Sequence, residues 1–412
     1  MSFLEKLLDG VEVEWKPLGE VCEFQNGFAF KSSLFRDLGI PIIRITNITG
    51  TNVDLTDLKY FDRSDYRFTN LEPFRIEFGD VLVAMSGATT GKIGYYTDTS
   101  EAYLNQRVGK FIPLPDILNN RFLFHFLLSK TEFLYHLAGG GAQPNLSSNA
   151  LKEKLLIPVP CPGNPQKSLE IQQKIVDILD RFTELTAELT AELTAELTAR
   201  KKQYNYYREK LLSFEEGEVE WKDLGAISKR SYSGSTPQAG NAKFYENGTI
   251  PWLRTQEVSF SEIYHTEMYI TEYAVENTGA KWIPENCVII AISGATAGRS
   301  AINKIPLTTN QHCLCLEIDP NLALYKYVFY WVSANYLTLK SLGRGARGDL
   351  NSSIIRKFKI PIPSLEHQQR IVSILDRFDT ITNSLTEGLP KEIELRQKQY
   401  EYYRDQLLAF PK

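Results

Sequence analysis

The sequence contains no Gly-x-Ser-x-Gly elbow, no His-Glu-x-x-His pair and no Cys-x-x-Cys spacing. Each of those chemistries needs its nucleophile or ligands at a fixed local spacing, so the commonest hydrolase and zinc-site arrangements are excluded. No Pro-Pro-Tyr-type base-methylation motif and no nuclease carboxylate cluster is present either. Cysteines are few: Cys22, Cys161, Cys287, Cys313 and Cys315. Their odd number and low density point to reduced thiols and a cytoplasmic protein. Long apolar runs are lacking. The longest, FLFHFLL at 122–128, falls far short of the roughly 20 residues that span a bilayer, so no membrane role is expected. The N-terminal MSFLEKLLDG carries acids where a signal peptide needs an apolar core. Excess basic charge is also missing: the net charge is −4, so any nucleic-acid binding must come from local patches.

Two features resemble sites and fail on detail. GATTGK (87–92) has three residues between its glycines where a phosphate loop has four, and Ile93 follows where Ser or Thr is needed. The second copy of this turn puts Arg299 at the Lys92 position. A tight turn after a buried strand is the better reading. His312 stands beside Cys313 and near Cys315, but strand alternation points the histidine away from both, against a metal site.

What is present is duplication. EVEWKPLGEV (12–21) returns as EVEWKDLGAI (218–227), 206 residues later, which is half of the 412-residue length. MSGATTGKIG (85–94) returns as ISGATAGRSA (292–301), and LLIPVPCP (155–162) as FKIPIPSL (358–365). The last parts match best. LEIQQKIVDILDRF (169–182) returns as LEHQQRIVSILDRF (365–378), and RKKQYNYYREKLLSF (200–214) as RQKQYEYYRDQLLAF (396–410), both 196 residues on. The N-terminal LEKLLDGVEVEW (4–15) resembles REKLLSFEEGEVEW (208–221). The duplication therefore closes on itself. The termini are expected to lie close together, and a circular permutation to be tolerated.

Each half divides into a mixed segment and a long helix. β-Branched runs such as IPIIRITNI (40–48), DVLVAMSG (80–87) and CVIIAISG (287–294) read as strands, and CLCLEID (313–319) places Leu314, Leu316 and Ile318 on one face. Helical stretches follow at 117–138 and 322–342. These are α/β units large enough for their own cores. The second segment shows helical spacing at Ile171, Ile175, Ile178, Leu179 and Phe182, and at Ile371, Ile374, Leu375 and Phe378.

Within the first helix, Thr-Ala-Glu-Leu stands three times unchanged over Thr186–Leu197. Leu185, Leu189, Leu193 and Leu197 recur every four residues, and 196 residues later so do Ile381, Leu385, Leu389 and Ile393. Two such ridges pack most simply as antiparallel helices, with Leu185 near Ile393 and Leu197 near Ile381. Glu188, Glu192 and Glu196 form the solvated face. Gly388 and Pro390 break the pattern, so a kink or loosened turn is expected there.

Polar turns recur at matching places. Asn and Gln can read adenine edges, Arg guanine, and Ser, Thr and Lys hold phosphates. In the first half the candidates are Lys31, Arg44, Asn47, Ser86, Thr89, Thr90, Lys92, Asn105, Gln106, Arg107, Gln143 and Asn145. In the second they are Ser233, Ser235, Thr236, Arg254, Gln256, Ser293, Thr296, Arg299, Asn310, Gln311, Arg344 and Arg347. A single such loop is usually a surface turn; recurrence in both halves favours function. Gln172, Gln173, Tyr204 and Tyr207, with their copies Gln368, Gln369, Tyr400 and Tyr403, are candidates for partner docking. Packing between the helices and the α/β units is the alternative.

RITNI, GDVLVAMSGATTGKIG, LNQRVG, GGGAQPNLSS, KLLIPVP and LEIQQKIVDILDRF, in that order, resemble the specificity subunit of a type I restriction–modification enzyme. The resemblance covers essentially the whole chain. The Thr-Ala-Glu-Leu run looks like the subfamily that carries variable numbers of this repeat. The resemblance implies two α/β target recognition domains, 1–168 and 215–364, with conserved helices 169–214 and 365–412 as an antiparallel coiled coil between them. It implies a reader of a split double-stranded DNA target with no catalysis and no cofactor of its own. Two methyltransferase subunits would bring S-adenosylmethionine and methylate a flipped adenine at N6 in each half-site. Two restriction subunits would bring ATP and Mg. The domains differ in their loops (GGGAQPN against GRGARGD), so the half-sites are expected to differ. Two other readings are a coiled-coil scaffold that reads no DNA and a self-sufficient methyltransferase; the missing motifs oppose the latter.

Overall fold

The computed structural model describes residues 3–141, 144–215, 217–343, 349–384 and 387–411. The chain forms two compact units. Unit one is Met1–Glu192 with Ile393–Lys412, and unit two is Leu193–Glu392. Each unit thus takes part of both long helical segments.

In unit one a four-stranded sheet runs in the order Cys22–Asn26, Val108–Pro113, Val81–Ala84, Ile93–Tyr95. A second sheet runs Lys59–Phe61, Ile40–Ile43, Ala102–Leu104, Arg75–Ile76. Val81 and Val83 face the helices Asn120–Leu128 and Pro165–Leu211, while Leu82 and Ala84 join the core against the second sheet. The strand is buried on both faces, which is why its sequence is uniformly apolar. Unit two repeats the plan with the order Ser228–Ser233, Cys313–Ile318, Val288–Ala291, Ser300–Asn303, Glu262–Ile263. Leu314 and Leu316 pack toward the helices, and Cys313 and Cys315 toward the smaller sheet. Alternation is therefore real, but both faces are covered. Burial pushes the Cys313 thiol up to about 12 and leaves it protonated and unreactive.

The repeated anchors meet. Val13–Pro17 pairs antiparallel with Leu156–Pro160, and Glu220–Asp223 pairs with Lys359–Ile362. The Trp15 indole donates to the Pro411 carbonyl at 2.7 Å, and Leu4 and Leu8 share a core with Leu407, Leu408 and Phe410. Both ends of the chain thus belong to one core.

The stretch 117–138 forms two helices, Asn120–Leu128 and Thr131–Leu137, the first capped by the Asn119 side chain. Its seam to the long helix is a latch. Gln172 is fully buried; its Oε1 accepts from the Asn119 N–H at 2.8 Å and its Nε2 donates to the Ile117 carbonyl at 2.9 Å. Two turns on, Asp180 accepts from Arg121 Nε at 2.8 Å and lies 2.7 Å from His125 Nε2. Unit two copies the device. Gln368, fully buried, accepts from the Leu324 N–H at 2.9 Å and donates to the Leu322 carbonyl at 3.2 Å. Asp376 takes Lys326 Nζ at 2.9 Å and the Tyr330 hydroxyl at 2.6 Å.

The exchange of His125 for Tyr330 makes the two latches respond differently to acid. Burial, acting against the Asp180 hydrogen bond and together with Arg121 and Arg404, holds His125 below its ordinary 6.5. The buried neutral ring takes up a proton less readily than the unfolded chain does. Its contribution is present above the unfolded value and is lost as pH falls below about 6.5. Tyr330, its phenol pushed up by burial and Asp376, does not change charge in that range. Hydrogen exchange compared between pH 7.5 and 5, each corrected for the intrinsic exchange rate at its pH, is expected to show protection lower by several-fold at pH 5 over residues 120–137 and much less changed over 325–341. Equal responses would rule out this role for His125.

The first long helix runs unbroken over Pro165–Leu211, 47 residues, with the whole Thr-Ala-Glu-Leu run inside it. The counterpart is divided into Leu365–Asn383 and Gly388–Leu407. Gly388 has φ +81°, and a Cβ there would meet the Thr380 carbonyl at 2.3 Å. The irregularity expected at Gly388–Pro390 is thus a break just before the glycine, with Pro390 inside the following helix.

Within unit one, Thr183 bonds Tyr400 at 3.1 Å and Phe182 packs on Tyr403. Within unit two, Tyr204 and Tyr207 pack on Phe378, and Phe214 on His367. In both cases one helix number rises as the other falls, the antiparallel sense. The register differs from expectation. Pairing Leu185 with Ile393 would set Thr183 opposite Leu395, whereas its partner is Tyr400, more than one turn away.

The ridge is corrected too. Leu185 is 44 % exposed and Ile381 38 %. Leu189, Leu193, Leu197, Leu389 and Ile393 are half-buried, and Leu385 lies outside the described residues. The partly covered positions of the run are Thr183, Thr186, Leu189, Thr190, Leu193 and Leu197. Four-residue spacing drifts about 40° per repeat, so a straight contact stripe passes from threonines to leucines in alternating steps of three and four.

Candidate nucleic-acid interface

In unit one the candidate loops converge. The turn Gly87–Thr89 follows the buried strand Val81–Ala84, and Thr89 Oγ1 donates to the Ile45 carbonyl at 3.0 Å. Asn105 N donates to the Ile43 carbonyl, Phe28 bridges to Asn105, and Arg107 Nη1 donates to Ser86 Oγ at 3.0 Å. Ser86 bridges to Asn145, and Thr90 Oγ1 reaches the Pro144 carbonyl at 3.3 Å. Five loops distant in sequence are thereby tied at one end of the sheet. Lys31 stands exposed on the first of them, its N–H donating to the Tyr66 hydroxyl at 2.9 Å.

Unit two assembles the same way. Ser233 Oγ donates to the Gln311 carbonyl at 3.2 Å, Thr236 Oγ1 bonds Gln311 Oε1, and the Trp252 indole donates to the Ser235 carbonyl at 3.1 Å. Asn310 N bonds the Leu253 carbonyl, and the Gly294 N–H bonds Asp349 at 3.2 Å. Two glycines permit the closest approaches. A Cβ on Gly27 would lie 2.0 Å from the Asn105 carbonyl oxygen, and one on Gly234 would lie 1.7 Å from that of Thr309.

Being gathered does not make every candidate available. Asn47 is 2 % exposed; its amide donates to the Asp54 and Asp57 carbonyls and its oxygen accepts from Arg44 N, all at 3.0 Å. Ser86, Thr90 and Asn310 are buried, and Asn310 Oδ1 accepts from the His312 N–H. These four hold loops and present no free edge to a base. Arg44 bonds the Asp57 carbonyl at 3.3 Å, and Arg254 pairs with Glu267 at 2.6 Å. They clamp equivalent turns.

Lys31, Gln106, Arg107, Asn145, Ser233, Thr236, Gln256 and Gln311 are exposed. Thr89, Lys92, Asn105, Ser235, Ser293, Thr296 and Arg299 are half-buried. Gln143, Arg344 and Arg347 lie outside the described residues. His312, considered from sequence only as a metal ligand, is exposed beside Gln311, with 3.3 Å between side chains. Its signal was the polar run TNQH immediately before a strand.

The docking candidates divide as well. Gln172 and Gln368 belong to the latch and Tyr400 is buried; these are packing residues. Gln173, Gln369, Tyr207 and Tyr403 are exposed, and Tyr204 is half-buried. The most exposed tyrosines of the doubled motif, Tyr206 at 59 % and Tyr402 at 61 %, lie off the stripe that periodicity selects. No helix among the described residues is long and apolar enough to cross a membrane.

Comparison with known proteins identifies the domain that is doubled. The type I restriction modification DNA specificity domain matches residues 10–199 and again 216–395. The EcoR124I/EcoR124II specificity subunit of Escherichia coli is 40% identical over 424 residues, covering 100% of this chain and 98% of that protein. The EcoprrI specificity subunit of Escherichia coli is 34% identical over 396 residues, covering 94% and 92%. The fold resembles a solved chain of a type I restriction–modification system (TM-score 0.65, 18% identity, 96% and 97% covered). It also resembles the HsdS subunit from Thermoanaerobacter tengcongensis (TM-score 0.53, 16% identity, 96% and 95% covered). With two copies of the domain and relatives that match along their whole length, the chain belongs to the family of type I restriction–modification DNA specificity subunits.

Proposed function

We propose that this chain reads a split DNA target, one half-site per unit, and that the antiparallel helices set the distance between the halves. The observation that carries the reading is the doubled convergence of polar loops, joined by one uninterrupted helix of 47 residues. The recognition domains are 1–168 and 215–364, and the helices 169–214 and 365–412 serve as spacer and docking frame. Two methyltransferase subunits dock there, with Gln173, Gln369, Tyr207 and Tyr403 as exposed contacts. They bring S-adenosylmethionine and methylate an adenine at N6 in each half-site. Restriction subunits that use ATP and Mg complete the assembly. The chain itself reads and positions and performs no catalysis. The family membership and the relatives' description as specificity subunits support this reading.

The test is to express the chain with its modification partner and map N6-methyladenine by long-read sequencing. A split motif with an adenine in each half is expected. Absence of new methylation overturns the proposal. The same assay separates the two readers. Gly234→Ala forces the Ser233–Thr236 loop off Gln311 and is expected to lower methylation dependent on the second half-site at least tenfold. The bases read in the first half-site should stay unchanged. Gly27→Ala is expected to do the converse.

A further inference from the structure

The strand Ser228–Ser233 is an edge of the five-stranded sheet of unit two, and a bulge shifts its register between Ser228 and Arg230. A bulge re-aims side chains, and such kinks gather at binding sites. Here it sets Lys229 and Arg230 side by side, both exposed, along a groove of about 640 Å³. Trp282, 49 % exposed, lines the same groove, and the exposed Lys281 precedes it. Among the described residues none of Lys229, Arg230 and Lys281 makes an ion pair. Glu317, the groove's carboxylate, receives the Tyr232 hydroxyl at 2.6 Å.

Lysine on an edge strand often serves only to block edge-to-edge pairing. That role does not call for a half-exposed indole in the same groove. Unit one shows the contrast. In matching register, Arg75 stands at the Trp282 position, and its guanidinium lies 4.0 Å from each of Glu72 and Glu77. The acidic Glu23 stands at the Arg230 position, opposite Ile112 as Arg230 is opposite Glu317, and Phe24 after it packs edge-on against Phe111. The unpaired basic groove is confined to unit two.

We propose that this groove holds the sugar–phosphate backbone of duplex DNA flanking the second half-site. The inference rests on the DNA-reading function proposed above. Lys229 and Arg230 line the groove and Lys281 adjoins it; with no ion pair at any of the three among the described residues, they form a local anion site on a chain of net charge −4. Trp282 offers an apolar plate for a deoxyribose edge. Ser233, at the far end of the same strand, belongs to the candidate reading loops. The separation along the strand is about 10–13 Å at 3.3 Å per residue, or roughly three to four base pairs at 3.4 Å each. One duplex can therefore touch both. The groove carries no sequence information and adds affinity on one side of the target only.

The full chain, assembled with its modification subunit, is titrated with a random-sequence 40-base-pair duplex at several salt concentrations. The combined variant Lys229→Ala, Arg230→Ala, Lys281→Ala is expected to lower the slope of log affinity against log salt by about two to three, near 0.9 for each phosphate left without its cation. Lys229→Arg with Lys281→Arg should keep the slope, and Trp282→Ala should weaken binding without changing it. Thermal melting confirms that the variants remain folded. An unchanged slope in the triple variant, while the unaltered complex binds, overturns the inference. Dissociation of the modification subunit from the triple variant with the slope preserved overturns it in favour of a protein interface. Failure of the unaltered complex to retain any duplex sinks the DNA-reading function itself.

Discussion

On the proposed strut reading, deleting Thr190–Leu193 is expected to shorten the unread spacer between the two half-sites by one base pair, or at most two, and to leave the bases of each half unchanged. The deletion removes roughly 6 Å of helix and about 40° of rotation. A base pair supplies about 3.4 Å and about 34–36°. The rotation matches one pair and the rise is nearer two, and the strut need not lie along the DNA. Adding a fourth Thr-Ala-Glu-Leu unit lengthens the spacer correspondingly. Mapped methylation is the readout. The original sites should lose methylation essentially completely, because a spacer wrong by one pair misplaces one unit in both distance and phase. A deletion that changes the bases and keeps the spacing would contradict the strut.

Gln172→Leu is expected to destabilise unit one by about 3–5 kcal/mol. The similarly sized side chain fills the space but leaves the Asn119 N–H and the Ile117 carbonyl buried without partners. Each such loss costs about 1–3 kcal/mol, and Ser168 Oγ loses its donor at 3.1 Å as well. For a unit of about 200 residues each kcal/mol moves Tm by about 2–4 °C, so the transition of unit one should fall by about 6–20 °C. Gln368→Leu should lower unit two instead. Because the latch seats each α/β unit on its helix, either variant should also blur the spacing of methylated sites. Melting within a degree of the parent would show that the amides are dispensable.

What sequence could show depended on whether the cause was local or periodic. The duplication, the strands and the helical segments follow from repeats and from apolar spacing, and they are legible without coordinates. The break at Gly388 was legible in kind because Gly and Pro act locally. The leucine ridge misled because spacing by four drifts around a helix, so that Thr186 and Thr190 share the covered stripe while Leu185 is left half in water. The latch was hidden for another reason. Gln172 and Ile117 are 55 residues apart, and a buried amide reads like any polar residue until both partners are placed. Asn47 shows the same limit: a side chain suited to reading adenine is equally suited to closing its own loop. Recurrence in both halves marked these residues as important but did not distinguish bracing from reading.

The interruption between Asn383 and Gly388 bears on how such a molecule changes over time. Because the Thr-Ala-Glu-Leu units are identical, one can be removed or added without changing the pattern of the remaining run. In a rigid two-helix strut, such a change on one side would leave the other side the wrong length. The partner segment is already divided between Asn383 and Gly388, so a four-residue change in the first helix does not have to be matched along one continuous second helix. On the strut reading proposed above, a change in repeat number would give a chain with a new spacing between half-sites and the same reading residues.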